Sequence, residues 1–156
     1  MTDEWTWLDA TAQAELVRTG EASPLELLES AIATIEAKNP ALNAVIHTMY
    51  DRARDEAASV ASIPDGPFKG VPFLIKDAVA HTAGDPYHLG MRALKDRGHT
   101  AEADTWLVER FRAAGFVICA KTNLPELATT ITTEPLAYGP TRNPWNTDRS
   151  PGGSSG

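Results

Sequence analysis

The sequence predicts an α/β fold with a mostly helical N-terminal portion. Two short apolar runs, at residues 71–75 and 116–120, have the length and composition of buried strands. A segment with helical periodicity separates them, and this order of elements is typical of a right-handed β-α-β crossover. The 156 residues, of which 42% are apolar, are enough for one domain with a sizeable core.

The N-terminal portion begins with two predicted helices. Residues 8–20 form the first, with Asp9 as its N-cap and Gly20 as its stop. The second starts with the sequence Ser-Pro-Leu-Glu from Ser23, which has the pattern of a capping box. Apolar residues then recur every three or four positions, and we expect Pro40 to end this helix.

The remaining elements follow from shorter patterns. We expect a strand at 44–46, helices at 51–61 and 103–114, a short helix at 125–130 and irregular loop from 134 to 153. In the helix at 103–114, Leu107 and Phe111 are expected on the buried face. Residues 63–67, which are rich in Pro and Gly, mark a boundary between two substructures.

Residues 81–98 are predicted to form a long loop, because they hold several Gly and Pro residues and few apolar ones. Loops of this length are often functional, so this one could line or cover a substrate pocket. The four histidines of the chain show no metal-ligand pattern. His81 and His88 lie in the loop and are expected at the surface, with contact to a substrate as the alternative.

The charge and the cysteine content argue against several classes of protein. A net charge of −7 disfavours a nucleic-acid binder, which usually carries a basic face. No stretch approaches the length of a membrane span. Cys119 is the only cysteine, so no internal disulfide forms, and its apolar neighbours predict a buried role rather than a nucleophile. Without the basic start and apolar middle of a signal peptide, the chain is expected to be cytoplasmic.

Lys76 follows directly on the apolar run at 71–75, so packing can remove water from its amine. Desolvation lowers the pKa of a lysine, which is what a lysine acting as a base requires. A lysine whose ammonium reaches water is the alternative, and this stretch alone favours it. Residues 151–156, Pro-Gly-Gly-Ser-Ser-Gly, are equally ambiguous alone, because a flexible tail has the same composition. They lack the Gly-Lys-Ser/Thr ending of a phosphate-binding loop.

Three motifs in the same chain change that judgement. Residues 70–77 are Gly-Val-Pro-Phe-Leu-Ile-Lys-Asp, residues 121–123 are Lys-Thr-Asn, and residues 151–156 close the chain. Together and in this order they resemble the amidase signature family, and the similarity begins at about residue 8. Asp85 and the pair Gly90-Met91 resemble the subgroup of 6-aminohexanoate cyclic dimer hydrolases and similar bacterial amidases.

The resemblance implies part of the amidase signature fold, a mixed β-sheet flanked by helices. Residues 1–65 would be a mostly helical lead-in and 66–156 the start of the core of a single amidase domain. Lys76 corresponds to the catalytic lysine and Ser154 to the bridging serine, which a cis peptide bond precedes. The supporting residues are Ser155, Gly152, Gly153 and Asp77, the last of which either orients the Lys76 loop or is a plain turn carboxylate.

The resemblance assigns two further residues less directly. Lys121 would support the lysine and serine loops, and a strand-end lysine is an equal alternative. Trp145 would pack beneath the Ser154 loop. No metal or organic cofactor is implied.

The expected activity is hydrolysis of a carboxylic amide by a Ser-cis-Ser-Lys mechanism. The family's nucleophilic serine and oxyanion hole lie beyond Gly156, so we expect this chain to be the N-terminal part of an amidase. A small-molecule amide is the expected partner, nucleic acid and membranes are not, and a homo-oligomer stays open. Two alternatives are a protein similar to the amidase-like subunit of glutamyl-tRNA amidotransferase and a non-catalytic remnant or interaction fragment.

Overall fold

A computed structural model describes residues 3–155 of the chain. Gly156, the last residue of the Gly-Gly-Ser-Ser-Gly motif, lies outside the described residues, as do the first two residues of the acidic N-terminus. The helices are α1 (Ala10–Thr19), α2 (Pro24–Leu42), α3 (Tyr50–Ala57), α4 (Arg92–Asp96) and α5 (Trp106–Ala113). The strands are β1 (Val45–Thr48), β2 (Pro72–Lys76) and β3 (Val117–Thr122), and 3-10 turns occur at Asp3–Trp7, Val60–Ser62 and Glu126–Ala128.

The chain divides into two compact units. Unit 1 contains the described residues of Met1–Ala37, Met49–Leu74 and Glu109–Cys119. Unit 2 contains the described residues of Lys38–Thr48, Ile75–Val108 and Ala120–Gly156. All the residues for which the sequence predicts chemistry belong to unit 2. Within residues 3–155, no helix has both the length and the apolar character needed to cross a membrane.

The three strands form a mixed sheet in the order β1-β3-β2. Strand β1 is antiparallel to β3, with Val45 opposite Thr122. The N–H of Val117 donates to the carbonyl of Val71 at 2.9 Å. The N–H of Asp77 donates to the carbonyl of Thr122 at 3.3 Å. Because both partners advance along the chain in the same direction, β2 and β3 are parallel. The predicted α/β class and the mixed sheet are therefore confirmed.

Local polar contacts fix the starts of the first two helices where the sequence predicts them. The Asp9 carboxylate accepts the N–H of Ala12 at 2.8 Å and caps α1, and Gly20 ends that helix in the left-handed conformation. Ser23 donates its N–H to the Glu26 carboxylate at 2.8 Å, and its Oγ accepts the Glu26 N–H at 3.2 Å. This reciprocal pair is the capping box at the start of α2.

Helix α2 does not end at Pro40, as predicted, but continues to Leu42. Pro40 lies in the last turn, where its missing N–H removes a single helical hydrogen bond. The N–H of Asn43 still reaches the carbonyl of Asn39 at 2.7 Å. The Asn39 side chain then accepts the N–H groups of Ala44 and Val45, each at 2.8 Å, and so ends the helix.

Helix α5 is shorter than predicted and buries a different residue. It begins at Trp106, where Thr105 Oγ1 accepts the N–H of Val108 at 3.4 Å. Val108 is fully buried, whereas Leu107, which was expected on the buried face, is 36% exposed. Phe111 does face inward, against Phe73, so the expectation was wrong for Leu107 alone.

Aromatic rings form part of the core of unit 1. The ring centroid of Phe116 lies 4.6 Å from that of Phe68 and 4.5 Å from that of Phe73, which also contacts Phe111 at 4.9 Å. Cys119 is fully buried, and its Sγ lies 3.5 Å from the carbonyl oxygen of Phe73. Burial raises the pKa of this thiol to about 11. The predicted buried role of Cys119 is confirmed.

We predict that Ser23→Ala lowers the free energy of unfolding by about 1 kcal/mol, because the N–H of Glu26 loses its capping acceptor. Urea denaturation of the parent and the variant measures the difference. Ser59→Ala is the matched control, since Ser59 precedes a 3-10 turn and forms no side-chain capping bond there. Equal losses of stability in the two variants would show that the capping box is unimportant.

Candidate active site

Lys76 and Ser154 are brought into direct contact across 78 positions of sequence. Lys76 is the last residue of β2, and its Nζ donates to Ser154 Oγ at 2.9 Å and to Ser155 Oγ at 3.2 Å. The side chain is half-buried, and the loss of water lowers the pKa of Lys76 below its ordinary value. The amine of Lys76 therefore forms hydrogen bonds with two serine hydroxyls and does not contact solvent alone.

The loop that carries Ser154 is held from behind by the segment 130–133. A Cβ added at Gly153 would lie 2.9 Å from the carbonyl oxygen of Thr130, so only glycine fits against this backbone. Thr133 Oγ1 donates to the carbonyl of Gly152 at 2.8 Å. Gly152 has a φ of +105°, and the peptide bond between Gly153 and Ser154 is cis, where the family resemblance places it.

This arrangement can transfer protons. A lowered pKa favours the neutral amine of a lysine, and a neutral amine can take a proton from a hydroxyl at hydrogen-bond distance. Ser154 Oγ is at such a distance, and its second lone pair and rotatable proton allow it to pass a proton between Lys76 and a third group. Ser155 supplies a second hydroxyl on the same amine.

Asp77, the next residue along the chain, points into the protein. It is 2% exposed, and its carboxylate accepts the N–H of His88, with Oδ2 at 3.2 Å, while the backbone N–H groups of Leu89 and Gly90 lie close enough to lower its pKa. Burial raises the pKa of Asp77 to about 6, and the ammonium of Lys121 and the three N–H donors oppose that rise. The carboxylate thus ties the turn 88–90 of the long loop to the end of β2.

Lys121 is fully buried at the end of the neighbouring strand β3. Its Nζ donates to the carbonyl of Pro86 at 2.7 Å and lies 5.8 Å from the centroid of the Tyr87 ring. The alternative of an ordinary strand-end lysine is therefore wrong, because the ammonium ends on the backbone of the long loop. Burial of a charged group requires such partners.

The two loop histidines have different environments. His88 is 6% exposed, so its predicted place at the surface is wrong. Its Nδ1 contacts the Tyr138 hydroxyl, and burial, together with nearby basic groups, lowers the pKa of His88. His81 is half-buried, and its Nδ1 lies 2.9 Å from the carbonyl oxygen of Ala103. Within residues 3–155, no group of three His, Cys, Asp or Glu side chains could hold a metal ion.

Trp145 does not pack beneath the Ser154 loop, as predicted, but is 95% exposed. It lies in a tight turn in which Asn143 Oδ1 accepts the N–H of Trp145 at 2.9 Å. The N–H of Asn146 closes the same turn on the carbonyl of Asn143 at 3.1 Å.

Sequence reasoning missed the segment 130–133 and the packing role of Asn123 within the Lys-Thr-Asn motif. Asn123 is fully buried, and its Nδ2 donates to the carbonyl of Gly139 at 3.1 Å and to Thr141 Oγ1 at 2.9 Å. The position of Asn123 inside a family motif was a usable signal. The sequence around Thr133 offered no such signal, because its role depends on Gly152, 19 positions away.

Comparisons with known proteins agree with this geometry. A sequence model of the Amidase family matches residues 26–156. The 6-aminohexanoate-cyclic-dimer hydrolases of Pseudomonas sp. (strain NK87) and Paenarthrobacter ureafaciens are 51% identical over 150 residues, which are 96% of this chain and 30% of theirs. A solved structure of 6-aminohexanoate cyclic dimer hydrolase complexed with substrate matches at a TM-score of 0.90 and 50% identity, covering 99% of this chain and 31% of that one.

Another similar protein is named as a subunit of an amidotransferase and not as a hydrolase. A glutamyl-tRNA(Gln) amidotransferase subunit of Salinispora arenicola (strain CNS-205) is 40% identical over 161 residues, covering 100% of this chain and 32% of that protein. The chain thus spans less than a third of the length of these relatives. Since the family match contains the segments around Lys76, Lys121 and Ser154, the chain belongs to the amidase signature family.

Proposed function

We propose that this chain supplies the lysine and the bridging serine of an enzyme that hydrolyses carboxylic amides. The contact of 2.9 Å between Lys76 Nζ and Ser154 Oγ is the observation that carries the proposal. The lowered pKa of Lys76 and the membership of the amidase signature family support it. The rest of the machinery, a nucleophilic hydroxyl and an oxyanion hole, is proposed to come from outside the described residues.

In the proposed reaction, neutral Lys76 takes the proton of Ser154 Oγ, and Ser154 takes the proton of the nucleophilic hydroxyl. The nucleophile then bonds to the amide carbon, and the carbonyl electrons move to oxygen. Collapse of this tetrahedral intermediate breaks the C–N bond, while the Lys76 ammonium returns its proton through Ser154 to the leaving amine. Water repeats the sequence on the acyl-enzyme and releases the acid.

The supporting residues have separate proposed roles. Ser155 keeps a second hydroxyl on the Lys76 amine, which restricts the amine to one direction. Gly152 and Gly153 let the backbone pass close to segment 130–133, so that Ser154 meets Lys76. None of these three residues takes part in the transfer of protons.

The proposed substrates are small linear or cyclic amides. Two of the relatives are named for the cyclic dimer of 6-aminohexanoate, which makes this compound the first one to test. A simple aryl amide serves as the linear comparison. Release of an amine, followed by a colorimetric assay, measures both in the complete protein that contains this chain.

A component of an ammonia-transferring complex is a second candidate, favoured by the 40% identity to a glutamyl-tRNA(Gln) amidotransferase subunit. The long segment 81–98, which resembles the cyclic dimer hydrolases, counts against it. Glutaminase activity together with co-purifying partner subunits would select this second function. Amine release from amides by the protein alone would select the first.

We predict that Lys76→Ala in the complete protein lowers kcat/KM for an amide substrate by about 100-fold or more, because the proton acceptor is lost. Steady-state kinetics of amine release measures the change. Lys69→Ala is the control, since Lys69 only reaches the exposed carboxylate of Asp65, at 3.5 Å. Unchanged hydrolysis in the Lys76 variant would refute the proposed function.

We also predict that kcat/KM rises with pH, with a midpoint below the ordinary pKa of lysine. The amine must be neutral to accept a proton, so activity is lost as the pH falls through the lowered pKa of Lys76. Lys76→Arg keeps a cation that stays protonated, so its residual activity should show no such limb. A limb that persists unchanged in the arginine variant would belong to another group.

A further inference from the structure

Lys76 and Ser154 are joined not only by their direct contact but also by a second route through unit 2. On one side, Asp77 follows Lys76 in the chain and holds the turn 88–90 by its backbone N–H groups. On the other side, the segment 130–133 holds the loop that carries Ser154. A third set of contacts links the turn to residues 124–127, which precede that segment in the chain.

The turn 88–90 is fastened to the chain that leads into segment 130–133. The N–H of Leu127 donates to the carbonyl of Leu89 at 2.9 Å. A Cβ added at Gly90 would lie 2.9 Å from the carbonyl oxygen of Leu124, so the two backbones are in close contact. Leu127 and Ala128 both have positive φ, a conformation that L-residues rarely adopt without tertiary restraint.

A buried cation completes this arrangement. Lys121, on β3, donates to the carbonyl of Pro86, two residues before the turn. Lys121 and Asp77 thus bind the same stretch of the loop, one through a carbonyl and the other through N–H groups. Both are buried, and their opposite charges offset part of the cost of desolvating each other.

We propose that Asp77, together with the buried Lys121, is a positioning residue for both Lys76 and Ser154 and acts through the turn 88–90. This inference rests on the proposed function. Asp77 touches neither the amine nor the serine. It fixes the backbone from which Lys76 extends and, through residues 124–133, the backbone that carries Ser154.

The matched pair Gly90→Ala and Gly98→Ala tests the proposal in the complete protein. The two glycines lie on either side of helix α4 and have positive φ, of +71° and +62°, so both variants bear similar backbone strain. Only at Gly90 does the added methyl group meet another backbone. We expect Gly90→Ala to lower kcat on the order of tenfold to a hundredfold with little change in KM, because misplaced groups react slowly. Gly98→Ala should keep the kcat of the parent.

Hydrogen exchange followed by mass spectrometry gives a readout that does not depend on catalysis. In the parent, the amides of 88–90 should exchange slowly because they lie against the buried carboxylate of Asp77, which accepts the N–H of His88. In Gly90→Ala they should exchange faster, while the amides of α5 stay unchanged. Fast exchange of 88–90 in the parent would overturn the proposal.

A second variant covers the case in which Gly90→Ala fails to fold. Asp77→Asn combined with Lys121→Met removes both buried charges at once, which is far less destabilising than removing either one. We expect its melting temperature to stay near that of the parent and its kcat to fall. A parental kcat in this folded variant would overturn the proposal. If Lys76→Ala itself keeps activity, the proposed function fails instead, and the two failures are distinguishable.

Discussion

The loss of water around the amine of Lys76 is the constraint on which the site depends. A lysine that packing has partly dehydrated must either find hydrogen-bond acceptors or give up its proton. Here the chain offers it two serine hydroxyls, at 2.9 and 3.2 Å. Hydroxyl groups carry no charge, so they hold the amine in place without stabilising the ammonium as a carboxylate would. The nearest carboxylate along the chain, Asp77, is turned into the interior instead.

The same constraint explains why the second lysine has such a different environment. Lys121 is fully buried, its Nζ donates to the carbonyl of Pro86 at 2.7 Å, and its charge lowers the pKa of the Asp77 carboxyl. The two lysines lie at the ends of neighbouring parallel strands but have different partners. Lys76 contacts the uncharged hydroxyls of two serines, whereas Lys121 interacts with a carbonyl and with the charge of Asp77.

Much of the fold followed from patterns a few residues long. The capping box at Ser23, the cap at Asp9 and the two apolar runs depend on neighbours within three or four positions, so the sequence shows them directly. The parallel pairing of β2 with β3 could also be predicted, since a helix between two buried strands allows few other topologies. Lys76 and Ser154 were singled out from family motifs, and the structure brings them together.

The errors arose where contacts distant in sequence decide the outcome. Burial of His88 depends on Tyr138, fifty positions away, and the packing behind Gly153 depends on segment 130–133. The exposure of Trp145, at 95%, was missed as well. No window of sequence contains the two partners of such contacts, so periodicity and motif spacing cannot reveal them.

The burial of Cys119 has a practical consequence for testing the proposed mechanism. Amide hydrolysis can also proceed through a cysteine thiolate, and such enzymes lose activity when alkylating reagents reach that thiolate. The only thiol of this chain is enclosed by apolar side chains and has a pKa of about 11, so at neutral pH it offers such reagents neither access nor a thiolate. Alkylating reagents can therefore be used on this chain as a probe of mechanism without a background from its own cysteine.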